Sequence, residues 1–221
     1  MVDIESALSG WSNLWRSKCN AEIIWNADKI VTELFTYKFL DNETAYEVSL
    51  SYNVLQDDLP PILSIPGSYG GVPVKRIADN AFAFHSYIYN VEIPNSIVTI
   101  GYKAFYLCYD LEHITFTSGS QLQNIKDYAF SGTKIEEIMI PESVISIGNN
   151  VFTDCVKLET IGVESSNNNF SCVDGILYNK AKTDIIACPI MYTGNLVIPN
   201  TVTTIRDSAF ASCNKLTAVH L

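Results

Sequence analysis

One stretch of this sequence decides the fold: Ile93-Pro94-Asn95-Ser96-Ile97-Val98-Thr99-Ile100-Gly101-Tyr102-Lys103-Ala104-Phe105-Tyr106-Leu107-Cys108. Its apolar residues recur along the chain at the same offsets from one another. Full copies occupy residues 140–155 and 198–213, a copy without the proline occupies 116–130, and a degenerate first copy occupies 74–85. Self-similarity at a regular period is the signature of a repeat protein.

The repeat length follows from the phenylalanine near the end of each copy. Successive phenylalanines are 23, 25, 22 and 58 residues apart, in the order Phe82, Phe105, Phe130, Phe152 and Phe210. The first three spacings fall in the range of leucine-rich-repeat solenoids, and the last contains an insertion. We therefore expect a mainly β repeat solenoid, a right-handed leucine-rich-repeat coil of short strands joined by short helical or 3-10 turns.

Each repeat combines a strand, a turn and a small apolar pair. The proline at Pro94 ends the strand because it cannot donate to a ladder. We expect Gly101 and Gly148 to permit a tight bend at the next corner. In the Ala104-Phe105 pair, the alanine lets adjacent coils approach and the phenylalanine fills the interior, so removing such a ring costs about 3–5 kcal/mol.

The pattern divides the chain into three segments. Residues 1–32 match no repeat and hold all three tryptophans, Trp11, Trp15 and Trp25. This segment either caps the solenoid with a short helix or docks its tryptophans into a partner. Residues 33–61 contain two alternating runs joined by a turn-rich linker, which predicts a β-hairpin covering the first coil. Residues 62–221 form the solenoid.

The solenoid is interrupted by an insertion at residues 163–196. Two strand-like runs, 172–178 and 185–189, surround a polar linker, and Asp174-Gly175 is a strong turn signal. We expect this hairpin to replace one repeat and to stay in the stack with one face buried.

Three of the six cysteines occupy one repeated position. Cys108, Cys155 and Cys213 each follow the repeat phenylalanine by three residues. Stacked coils bring such positions into a row, so we expect buried free thiols rather than disulfides. The sequence does not decide whether Cys172 and Cys188 form a disulfide across the insertion. The absence of a C-x-x-C pair gives a zinc site little support.

Charge and hydropathy narrow the classes of partner. The chain has 14 basic and 24 acidic residues and a net charge of −10, which disfavours nucleic acids and anionic membrane surfaces. No apolar run approaches the length needed to span a bilayer, and the N-terminus has no signal-peptide pattern. The sequence therefore predicts a cytoplasmic or virion location unless a non-classical route exports the chain.

The repeat has the form L-x-x-I-x-I-P-x-x-V-x-x-I-G-x-x-A-F-x-x-C, and it resembles the BspA-type leucine-rich repeat family. The resemblance covers about residues 62–221, and the insertion is similar to a D-G-I/V-L-Y hairpin common in this family. Departures are the missing proline after Phe116 and the replacement of the cysteine by His85 or Thr133. Such proteins are surface adhesins and interaction modules of bacteria, some protists and certain phages, so the resemblance implies binding without catalysis.

The chain offers no residues for an enzyme, a metal site or a cofactor. The histidines His85, His113 and His220 occupy repeat positions that other copies fill with unrelated residues, so structural roles are favoured. No nucleophile, phosphate-loop, zinc-protease or EF-hand motif is present.

Two functions remain open. In the first, the outward side chains of successive strands bind an extended protein or polysaccharide. Midway along the strands these are Glu92, Thr115, Met139, Gly162, Val197 and His220, with Asn90, His113, Glu137, Thr160 and Asn195 beside them. In the second, the chain is a structural component of a larger assembly, such as a phage virion decoration or fibre protein, anchored by residues 1–32.

The C-terminal end of this sequence predicts a further contact with another chain. Residues 217–221 are the opening strand of a repeat whose remaining parts do not follow in this sequence. An open coil end exposes both apolar core and unpaired backbone groups. We expect an identical subunit or an assembly partner to cover Phe210, Leu216, Val219 and Leu221, unless the natural protein continues beyond this sequence.

Overall fold

The computed structural model describes residues 34–40, 44–52, 54–55 and 59–220. These residues form a β-solenoid of about six turns. Trp11, Trp15 and Trp25 lie outside the described residues, as does Leu221. The docking or capping role of residues 1–32 therefore stays a prediction.

The described strands are short and regularly spaced. They are β1 (Phe35–Phe39), β2 (Tyr46–Leu50), β3 (Ile62–Ser64), β4 (Ser68–Tyr69), β5 (Val72–Ile77), β6 (Asn90–Ile93), β7 (Thr99–Ile100), β8 (His113–Phe116), β9 (Asn124–Ile125), β10 (Glu137–Ile140), β11 (Ser146–Ile147), β12 (Thr160–Val163), β13 (Phe170–Val173), β14 (Ile176–Asn179), β15 (Asp184–Ala187), β16 (Gly194–Val197), β17 (Thr204–Ile205) and β18 (Leu216–His220).

Two rows of parallel strands form two sides of the coil. We call β3, β6, β8, β10, β12, β16 and β18 the front strands. They pair as β3-β6-β8, as β10-β12 and as β16-β18. On the second side, β5, β7, β9 and β11 pair in that order. Each coil pairs with the coil before it through two residues.

The third side of the coil contains the Ala-Phe pairs and is not helical, which corrects the expected helical or 3-10 turns. We call residues 78–86, 101–109, 126–134, 148–156 and 206–214 the turn row. Two residues before and two residues after each phenylalanine, the backbone is left-handed. These positions are Asn80, Phe84, Lys103, Leu107, Tyr128, Gly132, Asn150, Asp154, Ser208 and Ser212.

The left-handed residues decide where the turn-row amides point. A run of helix cannot form through a residue with positive φ, so intra-coil bonds reach only three residues back at alternate positions. The intervening amides bond to the next coil instead. The Phe82 N–H donates to the Ala104 carbonyl at 2.8 Å, and the Phe105 N–H donates to the Ala129 carbonyl at 2.8 Å.

The phenylalanines of four coils stack in the core. The ring centroids of Phe82 and Phe105 are 5.1 Å apart, those of Phe105 and Phe130 are 5.6 Å apart, and those of Phe130 and Phe152 are 6.1 Å apart. Ala104 and Ala129 are fully buried beside them. This column confirms the core predicted from the repeat.

The N-terminal hairpin is present as expected. Strands β1 and β2 are antiparallel, and β2 adds to β5 in parallel, so the hairpin occupies the sheet edge of the first coil. Phe35 extends the phenylalanine column with an edge-on contact to Phe82 at 6.4 Å. Tyr37 stacks on Tyr69 with centroids 4.0 Å apart.

The insertion differs from the expectation of one buried face. Strands β13, β14 and β15 form an antiparallel unit, and β15 pairs with β17 in parallel. Leu177 and Ile186 join the core that contains the phenylalanine column. Ile176, Tyr178 and Ile185 join a second, smaller core toward β16 and β17. The insertion therefore separates two cores and buries both faces.

The described cysteines are free, and Cys172 and Cys188 are not bridged. Cys108 and Cys155 are buried, and their thiols donate to the carbonyls of Phe82 at 3.0 Å and Phe130 at 3.2 Å. Cys213 is only half-buried, which corrects the expectation of a third buried thiol. Its sulfur lies 3.7 Å from the Cys188 carbonyl oxygen in the second core.

The apolar side chains of the last described coil are more exposed to solvent than those of the other coils. Phe210 and Leu216 are half-buried, and Val219 is 47% exposed. Strand β18 pairs with β16 on one side only among the described residues. Coverage of this end by a partner stays a prediction.

Candidate functional site

The front strands place the seven predicted ligand-face residues at the surface. Glu92, His113, Thr115, Glu137, Met139, Val197 and His220 are all exposed, and Met139 and Val197 are 56% and 70% exposed. Their neighbours along the strands, such as Val91 and Ile138, are buried. The alternation follows from the two-residue period of a strand whose other face meets the core.

The seven residues form three groups rather than one continuous row. Thr115 lies opposite Glu92 and His113 lies opposite Asn90, on β6 and β8. The second group is Glu137 and Met139 on β10, which lie opposite Thr160 and Gly162. The third group is Val197 opposite His220. No ladder joins β8 to β10 among the described residues, and the insertion lies between β12 and β16.

The side chains of the first two groups are held by neighbouring coils. The Ser64 hydroxyl donates to the Glu92 carboxylate at 2.7 Å. Met139 lies over Gly162, where a Cβ atom would be only 2.7 Å from the methionine methyl group. Adjacent coils therefore present a flat surface of carboxylate, hydroxyl and thioether groups.

An ionic network lies at the start of the front strands, and the sequence reasoning did not identify it. The Lys157 ammonium is 2.7 Å from the Glu112 carboxylate and 3.3 Å from the Glu136 carboxylate. The hydrogen bond from Lys157 lowers the pKa of Glu112, and the bonds to Glu112 and Glu136 raise the pKa of Lys157. A second pair joins Lys134 to Asp110 at 2.9 Å. The signal was present, since Lys134 and Lys157 precede successive strands at equivalent positions.

The cavity that the described residues form beside the front strands is too small for a typical small-molecule ligand. A shallow cavity of about 120 Å³ lies at the proline-free turn, between Thr117, Ser120 and the carboxylates of Glu142 and Glu164. This volume is well below the few hundred cubic ångströms typical of small-molecule sites. The geometry is that of an extended contact surface.

The three histidines are not brought together. His113 and His220 are exposed on strands in separate groups, and His85 is half-buried in the turn row. Burial lowers the pKa of His85. Within the described residues, no three potential metal ligands cluster. The same ranges contain no helix long and apolar enough to cross a membrane.

The repeats of this chain match a known family. The model described as the BspA type leucine rich repeat region matches in six copies, over residues 73–181 and 190–221. No curated protein sequence matches the chain.

Three solved structures share the fold. The pneumococcal vaccine antigen PcpA has 20% sequence identity and a TM-score of 0.64, with 85% of this chain and 68% of that chain covered. A leucine-rich repeat protein from Eubacterium ventriosum has 20% identity and a TM-score of 0.61, covering 87% and 59%. A leucine-rich repeat protein from T. pallidum has 19% identity and a TM-score of 0.51, covering 85% and 79%. At this identity the likeness concerns the fold alone.

Proposed function

Because the chain belongs to the BspA-type leucine-rich repeat family, we propose that it is a non-catalytic interaction and adhesion module. It binds an extended protein or polysaccharide across its front strands. The observation that carries this proposal is the register of the exposed front side chains, which face one direction from successive coils.

The spacing of these side chains suits a polymer. Adjacent parallel strands within each group lie about 4.8 Å apart, so each coil of a group offers one new contact at a regular interval. Stacked repeats use such extended surfaces to bind macromolecules rather than small ligands. The chain spans 59% of the Eubacterium ventriosum protein. The proposal therefore concerns a ligand of the described coils and not of a longer protein.

The charge of the surface further restricts the class of ligand that can bind. Glu92 and Glu137 project from the front strands without a neighbouring lysine in the described contacts, while Lys134 and Lys157 are engaged by acidic partners. A strongly anionic polymer would be repelled by this arrangement. The fitting ligand is neutral or carries basic groups.

The test begins with an array of purified proteins and polysaccharides. Glu92→Arg combined with Glu137→Arg reverses two charges on the front strands. We expect this double variant to weaken capture of the bound polymer by about tenfold or more, since each change removes a carboxylate acceptor from a neutral ligand and replaces an attraction with a repulsion for a basic one. Binding is measured by surface plasmon resonance at two salt concentrations.

A matched control reverses two charges on the turn row. Asp154 and Asp207 are exposed, and Asp154 accepts a serine hydroxyl much as Glu92 does. Asp154→Arg with Asp207→Arg makes the same change in net charge away from the front strands. Equal loss of capture in both double variants, or none in either, would overturn the front strands as the binding face.

A further inference from the structure

We propose that the turn row carries a separate site for one hexose unit of a neutral polysaccharide, in a cavity centred on Tyr102. The proposal goes beyond the front-strand contact and does not depend on it. The cavity has a volume of about 210 Å³ and is lined by Arg76, Asp79, Tyr102, Lys126 and Asp127. These residues come from three successive coils, so only the stacked chain assembles the site.

The two carboxylates are fixed in position by the backbone of the next coil. One oxygen of Asp79, Oδ1, accepts the Tyr102 N–H at 2.8 Å and also the Arg76 guanidinium. The equivalent oxygen of Asp127 accepts the Asn149 N–H at 2.9 Å. Each carboxylate has a second oxygen that accepts no further bond within the described residues. Fixed acceptors of this kind bind hydroxyl donors with little ordering cost.

The Tyr102 ring supplies the apolar part of the site. It is 39% exposed, and its edge-on contact with Tyr128, at 6.1 Å between centroids, restricts its orientation. The Lys103 ammonium lies over one face of the same ring, 5.2 Å from its centroid, so the sugar would pack against the other face. A pyranose presents C–H groups on one face and hydroxyls at its rim, so it can lie against an aromatic ring while its hydroxyls reach the carboxylates.

The charges around the cavity select a neutral ligand. Asp79 and Asp127 contribute two negative charges, and Arg76 and Lys126 contribute two positive charges. Arg76 is already engaged, with its Nε 3.4 Å from the Glu47 carboxylate. The Lys103 ammonium also lies beside the cavity, where it is held over the Tyr102, Tyr106 and Tyr128 rings. Among the described residues that line the cavity, an anionic sugar would therefore meet two carboxylates and one cation, Lys126, that has no described acidic partner. Neutral hydroxyls can donate to the carboxylates and accept from Lys126 without this repulsion.

Aromatic contacts extend the site along the turn row. Tyr128 meets Tyr106 at 6.4 Å, and Tyr106 meets Phe84 at 5.6 Å between ring centroids. Phe84 is 59% exposed. The strip offers contact surface to sugar units on one side of the cavity, so an oligomer is expected to bind more tightly than a monosaccharide.

The experiment titrates the full chain with defined oligosaccharides. The probes are cellohexaose, maltohexaose, mannohexaose and chitohexaose, with a sulfated heparin hexasaccharide as the anionic comparison, measured by isothermal calorimetry. We expect saturable binding of at least one neutral hexamer and weaker binding of the sulfated one. Tyr102→Ala should weaken the neutral binding by about tenfold or more, equivalent to about 1.4 kcal/mol, and Tyr102→Phe should retain it, because only the first change removes the aromatic ring against which the sugar packs.

Tyr109→Ala is the matched control, because Tyr109 is 52% exposed on the same row and does not line the cavity. Circular dichroism melting confirms that each variant is folded. Glu92→Arg with Glu137→Arg should leave hexamer binding unchanged, which separates this site from the front strands. The proposal is overturned by no saturable binding of any neutral hexamer, by equal effects of Tyr102→Ala and Tyr109→Ala, by tighter binding of the sulfated probe, or by loss of binding in the front-strand variant.

Discussion

Gly101 and Gly148 have a different structural role from the tight bend that the sequence predicts. Neither lies in the left-handed region of backbone conformation. A Cβ atom on Gly101 would be 2.6 Å from the Asp79 carboxylate and 2.7 Å from the Ala78 carbonyl of the preceding coil. On Gly148 it would be 2.6 Å from the Asp127 amide nitrogen. These glycines make room for the aspartate that bonds across two coils.

Gly101→Ala tests this close approach. The added methyl group meets the Ala78 backbone and an Asp79 carboxylate that the Tyr102 N–H holds in place, so we expect a loss of about 1–3 kcal/mol in the free energy of unfolding, measured by urea denaturation. Gly67→Ala is the control, since its Cβ would be 3.4 Å from the nearest atom, the Ser96 hydroxyl. That change should alter stability by less than about 1 kcal/mol in either direction. A Gly101→Ala chain as stable as the Gly67→Ala chain would contradict the steric account.

The buried thiols make stability depend on alkaline pH. Burial raises the pKa of Cys108 from 9.0 to about 12 and that of Cys155 from 9.0 to about 11. Above pH 9 the unfolded chain releases these protons while the folded chain retains them. The free energy of unfolding therefore falls as pH rises, by about 1.4 kcal/mol per pH unit for each thiol. Cys213 differs, because a hydrogen bond from Cys188 lowers its pKa.

Urea denaturation between pH 8 and pH 10.5 measures this dependence. The half-buried Tyr37, whose pKa burial raises to about 12, contributes in the same direction. The Cys108→Ser, Cys155→Ser double variant isolates the thiols, and its slope against pH should be shallower than that of the parent chain. Identical slopes would show that these thiols do not titrate differently on unfolding.

At the scale of elements, the turn row and the insertion are the two departures from expectation. The turn row was expected to form short helical or 3-10 turns. Several of its left-handed residues, such as Phe84, Leu107 and Tyr128, carry no sequence signal of positive φ, since Gly, Asn and Asp are the residues that adopt that region readily. Bonds to the neighbouring coils stabilise a conformation that the isolated segment would avoid.

Because both faces of the insertion are buried, we expect substitutions on either face to lower the free energy of unfolding to a similar extent. Leu177 is fully buried in the first core and Ile185 is fully buried in the second. Leu177→Ala and Ile185→Ala should each lower the free energy of unfolding by about 2–5 kcal/mol. Ile205→Ala is the control, because Ile205 pairs with Ile185 across the sheet and is 50% exposed. If either core substitution costs no more than Ile205→Ala, as chemical denaturation would reveal, the insertion has one buried face after all.

At the scale of the molecule, two cores of unequal size lie on either side of the insertion. The phenylalanine column and its neighbours form one extended core, and the core beyond the insertion contains Leu196, Ile198 and Ala209 with few other buried residues. Stability in a solenoid depends on each coil and on its contacts with its neighbours. The coil with the smaller core should therefore open first.

Native-state hydrogen exchange measures this difference. The Lys126 and Gly148 amides bond to the preceding coils within the first core, at 3.0 and 2.9 Å. The Arg206 amide makes the equivalent bond to Ile185 at 2.9 Å beside the second core. We expect Arg206 to exchange at a lower free energy of opening than the other two amides, because fewer buried apolar contacts hold its coil. Equal free energies would indicate that the two cores unfold as one unit.

The sequence by itself determined the repeat, the front strands with their outward residues, the N-terminal hairpin and the phenylalanine column. Each of these is encoded by local periodicity, because a strand's two-residue alternation and the coil's 22- to 25-residue spacing are visible along the chain. Only the tertiary structure decided the division of the front strands into three groups, the two-sided burial of Leu177 and Ile185, and the cavity at Tyr102. These features depend on which side chains of different coils meet, and that is set by the stacking distance between coils rather than by any residue's neighbours in sequence.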